Sequence, residues 1–216
     1  MPNDPTAPAE QDGGFEDIEL DTLASRSDLL RRAALAGSAA VAGGLLFAGL
    51  PKVAASAPSR AQDVRILNYL LRLEYVMAAF YERAAAGQLT GEIQQFVSVV
   101  GEHEREHVAL LQRILGDDAN AEPSVDFGDG TGDADRVAPI AHLLEETASA
   151  AYIGQGANLT KRAMIEAARI TSVEARHAAW LADILGRHPA PAAADPAKSP
   201  SQVSAALRRA GISISG

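Results

Sequence analysis

Residues 74 to 186 contain one pattern of residues twice, and this repeat limits the fold more than any other feature of the chain. In each half a glutamate is followed seven positions later by a tyrosine, and 30 or 29 positions later by a Glu-x-x-His motif. The first set is Glu74, Tyr81, Glu104 and His107, and the second set is Glu145, Tyr152, Glu174 and His177. Four carboxylates and two imidazoles in matching sets are nearly a complete ligand list for two metal ions.

The composition narrows the classes of protein to which the chain can belong. With 216 residues the chain can form one sizeable domain with tails. A formal net charge of −9 argues against a nucleic-acid surface, which requires clustered Lys and Arg. The chain has no cysteine, so a metal site must use carboxylate and imidazole ligands, which suit iron, manganese and zinc.

The amino-terminal part, residues 1–57, is predicted to be a disordered leader followed by an export signal. The paired arginines Arg31 and Arg32 precede an uncharged stretch at residues 33–50, and small residues follow, in the order of a twin-arginine signal. Cleavage is expected after Ala55 or Ala57, with Ala55 favoured because a proline follows Ala57. We therefore expect export by the twin-arginine machinery to the periplasm, envelope or exterior. If it is not cleaved, residues 33–50 would be a membrane anchor.

The central part, residues 58–188, is predicted to be a bundle of four helices. Apolar residues recur at helical spacing, and glycines mark the ends of the segments. The predicted helical segments are residues 61–86, 90–115, 135–157 and 160–185, with Thr90 as an expected N-cap. Residues 189–216 are predicted to be a Pro/Ala linker and a short final helix that is capped by Ser201 and ends at Gly211.

The long loop between the second and third helices sets the order of helices in the bundle. Short turns make the first pair antiparallel, and likewise the second pair. The loop of about 20 residues can extend past 60 Å, whereas a helix of about 24 residues is about 36 Å long. The loop can therefore cross the whole bundle, which gives an up-down-down-up order and relates the two halves by a pseudo-two-fold axis.

Helical spacing brings the repeated residues of each half onto inward faces. Residues three or seven positions apart share one face of a helix. Four buried carboxylates cost several kcal/mol each unless they are paired, and two divalent cations would balance them. In this arrangement both cations are bridged by Glu104 and Glu174. Glu74 with His107 holds one cation, Glu145 with His177 holds the other, and Tyr81 and Tyr152 donate hydrogen bonds to carboxylates.

Residues 63–187 resemble a ferritin-like domain, and most closely the exported ferritin-like family that includes desiccation-related proteins. The segments that carry the resemblance are Leu73-Glu74-Tyr75, Phe80-Tyr81, Leu144-Glu145, Ala151-Tyr152 and Ser172 to His177. It implies an all-α bundle that binds two iron ions, with manganese as the alternative, and that oxidises ferrous iron with oxygen or peroxide. The competing expectation is a non-catalytic stress protein with a structural or vestigial metal site. Homo-oligomer formation is left open.

Two further assignments compete with this interpretation. His103-Glu104-Arg105-Glu106-His107 satisfies the H-E-x-x-H pattern of zinc proteases. The second half has Val173 at the position that matches His103, so His103 lies outside the repeat and is expected at the surface or flank. Glu146 is an alternative ligand to its neighbour Glu145, but the seven-residue step to Tyr152 favours Glu145.

Overall fold

The computed structural model describes residues 57–215, which form an all-α bundle of four long helices with a short helix after it. The helices are α1 (Arg60–Ala85), α2 (Gly91–Leu115), α3 (Ala134–Gly156), α4 (Lys161–Ile184) and α5 (Pro200–Arg209). One 3-10 turn (Gly116–Asp118) and two short strands, β1 (Ser124–Asp126) and β2 (Ser213–Ser215), complete the described elements. The four-helix prediction is confirmed, and the bounds of the long helices agree to within about one residue. The predicted export signal lies outside the described residues.

Polar caps and glycines set the ends of the long helices. The side chain of Ser59 accepts a hydrogen bond from the backbone of Gln62 at the start of α1. Thr90 precedes α2 as predicted, but its side chain makes no capping hydrogen bond. At the other end of α2, Gly116 has a φ of 60°, a conformation that glycine adopts without steric cost. Gly116 therefore ends α2 as the sequence predicts, whereas the capping bond of Ser59 was not predicted.

Contacts between the two hairpins establish the up-down-down-up order. At the beginning of α1, Asp63 accepts hydrogen bonds of 2.8 and 2.6 Å from the backbone and hydroxyl of Thr160, which precedes α4. These two helices therefore start at the same end of the bundle. Near the end of α1, Tyr81 reaches Glu145 in the middle of α3, while Tyr152 near the end of α3 reaches Glu74. Helices α1 and α3 are therefore antiparallel, as the long crossover predicts.

The carboxyl-terminal segment packs against the bundle and the crossover. Strand β2 pairs antiparallel with β1, so that Ile214 lies opposite Val125. The backbone of Lys198 donates to Ala150 of α3 over 2.9 Å. The prediction of Ser201 as the cap is wrong, because Ser199 caps α5 and forms a reciprocal capping box with Gln202. The two strands were not predicted.

None of the described helices combines the length and the apolar character that a membrane span requires. The uncharged stretch at residues 33–50, for which anchoring was the alternative to cleavage, lies outside the described part of the chain.

Candidate metal centre

The repeated glutamates and histidines meet in the middle of the bundle. Each long helix contributes one glutamate, and the two Glu-x-x-His helices, α2 and α4, contribute a histidine as well. The four glutamates are 0% exposed, while the two histidines are 8% and 4% exposed. The residues brought together are Glu74, Glu104, His107, Glu145, Glu174 and His177. All six repeated acidic and imidazole residues therefore share one buried site.

The imidazole of His107 faces three carboxylates through Nδ1. This atom lies 3.5 Å from Glu74 Oε2, 3.6 Å from Glu104 Oε2 and 2.9 Å from Glu174 Oε1. Because Glu74 lies on α1 and Glu174 on α4, three helices converge on one histidine nitrogen. The arrangement offers one nitrogen and several oxygens to a common point.

His177 also faces three carboxylates, two of which, Glu104 and Glu174, it shares with His107. Its Nδ1 lies 3.2 Å from Glu145 Oε2, 3.4 Å from Glu104 Oε1 and 3.9 Å from Glu174 Oε2. The two imidazole rings are 6.2 Å apart between centroids and are inclined by 29°. The two halves of the repeat thus present similar ligand sets side by side.

Two groups of four residues have the geometry to hold one metal ion each. In each group, one ligand atom from every residue lies within 4.8 Å of the others. The first group is Glu74, Glu104, His107 and Glu174, and the second is Glu104, Glu145, Glu174 and His177. Glu104 and Glu174 belong to both groups, so their carboxylates stand between the two positions. The buried cluster is therefore compatible with metal binding.

The neighbouring glutamates Glu145 and Glu146 differ sharply in their surroundings. Glu145 is fully buried, whereas the side chain of Glu146 is 55% exposed and lies 3.8 Å from His142. Consecutive residues of a helix point in directions about 100° apart, so only one of the two can face the bundle interior. The structure places Glu145, and not Glu146, in the cluster.

Several buried oxygens of the cluster make no hydrogen bond within residues 57–215. They are Glu74 Oε2, both carboxylate oxygens of Glu104 and both of Glu174. The short approach of His107 Nδ1 to Glu174 also lacks the alignment of a hydrogen bond. Unpaired buried carboxylate oxygens are costly in a folded protein. The unpaired oxygens are therefore compatible with positive charge, such as a metal ion, at the cluster.

Burial and mutual repulsion shift the acid–base properties of the carboxylates. Burial, together with the charge of Glu145, raises the pKa of Glu104 to about 7. Burial and the charge of Glu104 raise the pKa of Glu174 well above its ordinary value. Both carboxyl groups therefore keep their protons to a higher pH than an ordinary glutamate does, unless positive charge is supplied at the site.

The histidines shift in the direction that their carboxylate neighbours favour. Burial lowers the pKa of His177, but the nearby Glu104 and Glu145 outweigh burial and raise it to about 9. Burial likewise opposes the charged form of His107, and its carboxylate neighbours raise its pKa well above the ordinary value. In the absence of cations, protons on the imidazoles and carboxyl groups balance the charge of the cluster. Metal ions would compete with these protons.

The two repeated tyrosines link the halves of the repeat crosswise. Tyr81 donates its hydroxyl proton to Glu145 Oε1, and Tyr152 donates to Glu74 Oε1. Both tyrosines are 1% exposed. Burial and the charges of Glu145 and Glu74, respectively, raise the pKa of each hydroxyl well above its ordinary value, so both remain donors at neutral pH.

Of the two positions expected for His103, surface or flank, the structure places it at the flank of the cluster. Its Nδ1 lies 2.9 Å from Nε2 of His177, and the planes of the two rings differ by 14°. The position is half-buried. Within the described residues, neither four-residue group includes His103, which lies against His177 instead of joining His107 on one metal. This geometry does not support the zinc-protease alternative.

Comparison with known proteins agrees with the fold. A family model described as a ferritin-like domain matches residues 62–187, which is more than half of the chain and includes every residue of the cluster. A search of curated proteins finds no match.

Proposed function

The chain belongs to the ferritin-like family, and we propose that its buried cluster binds two divalent metal ions, one in each half of the repeat. The observation that carries the proposal is the sharing of Glu104 and Glu174 by both four-residue groups. A carboxylate that stands between two positions can bridge two ions. Glu74 with His107 then completes one position, and Glu145 with His177 completes the other.

Charge supports two ions at the cluster in preference to one. Four ionised carboxylates and two neutral imidazoles carry four negative charges, which two divalent cations balance. With a single divalent cation, protons on the cluster would have to balance the two remaining negative charges, because unbalanced buried charge is costly in a low-dielectric interior. Iron is the metal that we propose, with manganese as the alternative, because both accept mixed carboxylate and imidazole ligands.

We propose oxidation of ferrous iron as the reaction. Two ferrous ions supply two electrons which, with two protons, reduce one O₂ to H₂O₂ or one H₂O₂ to two waters. The contribution of the chain is to hold the carboxylates in fixed positions within a dry interior. Tyr81 and Tyr152 orient the two unshared glutamates by hydrogen bonds from opposite halves.

One observation favours a second function, in which metal binding is structural and the bundle serves as a non-catalytic stress protein. The four glutamates are fully buried and the histidines are nearly so, which restricts the approach of an oxidant. Metal at such a site would stabilise the fold by binding only the folded state. The alternative predicts tight metal binding without turnover.

Oxygen consumption distinguishes the two functions. The protein is loaded anaerobically with ferrous iron. Oxygen uptake is followed after air-saturated buffer is added, and the loss of peroxide is followed when peroxide is added instead. An oxidase consumes about one O₂, or one H₂O₂, for every two ferrous ions and faster than free iron does. Iron that remains bound and ferrous would support the structural alternative and overturn the oxidase proposal. As a control, the Glu102→Ala, Glu106→Ala variant, which changes two exposed glutamates of α2, should react like the unmodified protein.

We also propose that the chain is exported by the twin-arginine route. The support is the order of Arg31 and Arg32, the uncharged residues 33–50 and the small residues after them. This route carries folded proteins, which suits a bundle that takes up metal before export. Replacement of both arginines by lysine is expected to retain the protein in the cytoplasm. Unchanged export of that variant would show that the signal is assigned wrongly.

A further inference from the structure

The environment of His177 differs from that of His107 in one respect that the repeat does not predict. His177 directs Nδ1 to the cluster, where it lies 3.2 Å from Glu145 and 3.4 Å from Glu104. Its other nitrogen, Nε2, points away from the cluster and meets Nδ1 of His103 at 2.9 Å. His103 therefore contacts a candidate ligand from the side opposite to the metal position.

A metal-binding imidazole requires a defined tautomer. To offer a lone pair through Nδ1, a neutral His177 must carry its proton on Nε2, and this N–H group needs an acceptor in a partly buried position. Nδ1 of a neutral His103 is such an acceptor, with its own proton on Nε2. The nearly parallel planes of the two rings, 14° apart, suit an in-plane hydrogen bond between them.

The other half of the chain lacks this acceptor at the matching position. His103 precedes the Glu-x-x-His motif of α2 by one residue, and Val173 occupies the equivalent place in α4. A valine side chain has neither a donor nor an acceptor. The two halves therefore have the same candidate ligands, but the residue before the Glu-x-x-His motif is a histidine in one half and a valine in the other.

We propose that His103 is a positioning residue that holds His177 in the Nε2–H tautomer and orientation required for metal binding, and so makes the two metal positions unequal. The inference rests on the proposed metal-binding function. The position that contains Glu145 and His177 binds the first ion more tightly, and the position that contains Glu74 and His107 binds the second. Partners behind a metal-binding imidazole typically change metal affinity by about 10- to 100-fold.

Titration of the full chain with Co²⁺, followed by absorbance and calorimetry, tests the proposal. The unmodified protein is expected to bind two ions with unequal affinities. His103→Leu introduces an aliphatic side chain like that of Val173 in the other half. It should weaken only the tighter binding step, at the Glu145 and His177 position, by about tenfold or more. His103→Asn should restore that step to within about threefold, because its side-chain oxygen can occupy nearly the place of Nδ1. His188→Leu, at an exposed histidine outside the cluster, is the control.

A second measurement reports the tautomer directly. In Zn²⁺-loaded protein labelled with ¹⁵N-histidine, the ring proton of His177 is expected on Nε2, coupled across the hydrogen bond to Nδ1 of His103. The His103→Leu variant should lose this coupling, and the resonances of His107 should not move.

Three outcomes would overturn the inference while leaving the metal site intact. They are unchanged affinities in the folded His103→Leu variant, equal weakening of both steps, and failure of folded His103→Asn to restore the tighter step. Absence of Co²⁺ binding by the unmodified protein would instead contradict the proposed function, and the inference with it. The two kinds of failure are therefore distinguishable.

Discussion

Tyr81, near the end of the first helix of one half, donates its hydroxyl to Glu145 of the other half. Tyr152 returns the same contact to Glu74. The halves are thus joined by two equivalent hydrogen bonds that cross the pseudo-two-fold axis. Each tyrosine belongs to the sequence repeat of one half but supports the candidate metal position of the other.

This crosswise contact predicts which position each tyrosine variant affects. Tyr81→Phe removes the donor to Glu145, so it should weaken binding at the Glu145 and His177 position by about tenfold. Tyr152→Phe should do the same at the Glu74 and His107 position. Co²⁺ titration resolves the two steps.

The matched control for the tyrosine variants is Tyr75→Phe. Tyr75 lies on α1 as well, but its hydroxyl contacts Gln112 and Asn120 outside the cluster. We expect this variant to leave both affinities unchanged. If Tyr81→Phe weakened the Glu74 position instead, the crosswise assignment would be wrong.

The adjacent residues Glu145 and Glu146 allow a comparison of a proposed ligand with a neighbour outside the cluster. Glu145→Ala removes a buried carboxylate of the cluster and should abolish binding of about one ion per chain. Glu146→Ala changes a side chain that is 55% exposed and should leave both ions bound. Metal content after gel filtration measures the difference. Equal losses in the two variants would contradict the placement of Glu145.

Protein freed of metal by a chelator should lose stability as the pH rises from about 4.5 to about 9. Burial and the charge of Glu145 raise the pKa of Glu104 from 4.5 to about 7. Burial lowers the pKa of His177, but Glu104 and Glu145 raise it from 6.5 to about 9. The folded state therefore binds these protons more tightly than the unfolded chain does. The stabilisation that comes from the proton on Glu104 is lost by about pH 7, and that from the proton on His177 is lost by about pH 9.

Urea unfolding across this pH range, with and without Mn²⁺, measures the effect. Metal should stabilise the protein more at high pH, because fewer protons compete for the ligands. Glu104→Gln should remove the part of the pH dependence that lies between about pH 4.5 and pH 7. A metal-free protein that became more stable between pH 5 and pH 9 would contradict these pKa directions.

Close packing of the carboxyl-terminal segment on α3 depends on Gly154. A Cβ atom at this position would lie 2.2 Å from the backbone oxygen of Lys198. Gly154→Ala should therefore displace the segment and destabilise the protein by about 1–3 kcal/mol. Gly156→Ala, where a Cβ would meet nothing within 4 Å, is the control and should not destabilise. Equal thermal unfolding of the two variants would contradict this packing.

The sequence was most informative where its signals were repeated or local. Glycines marked helix ends, as at Gly116, because they act on their own turn of the chain. The polar caps were predicted less well, since Thr90 makes no capping hydrogen bond and Ser199 replaces Ser201. The helix order followed from the length of one loop. Placement of the cluster residues in the interior followed from helical spacing, since a helix fixes the directions of its side chains.

The features that escaped prediction depend on contacts that are distant in sequence. His103 lies 74 residues from His177, and its place outside the repeat made it look incidental. Its position four residues before His107, on the same helix face, was a usable signal, but that signal matched a zinc-protease motif as well. Strands β1 and β2 have three residues each, too few for a periodic pattern, and pair only because the tail folds back.

The metal content of the purified bundle shows whether the buried cluster holds two ions. The full chain is loaded anaerobically with ferrous or manganous ions, passed through a desalting column and analysed for metal by mass spectrometry. We expect about two ions per chain in the unmodified protein and in the Glu102→Ala, Glu106→Ala control. The Glu104→Ala, Glu174→Ala variant should retain almost none, because both carboxylates that are proposed to bridge the ions are removed. Full metal retention by that folded double variant would contradict the proposed site.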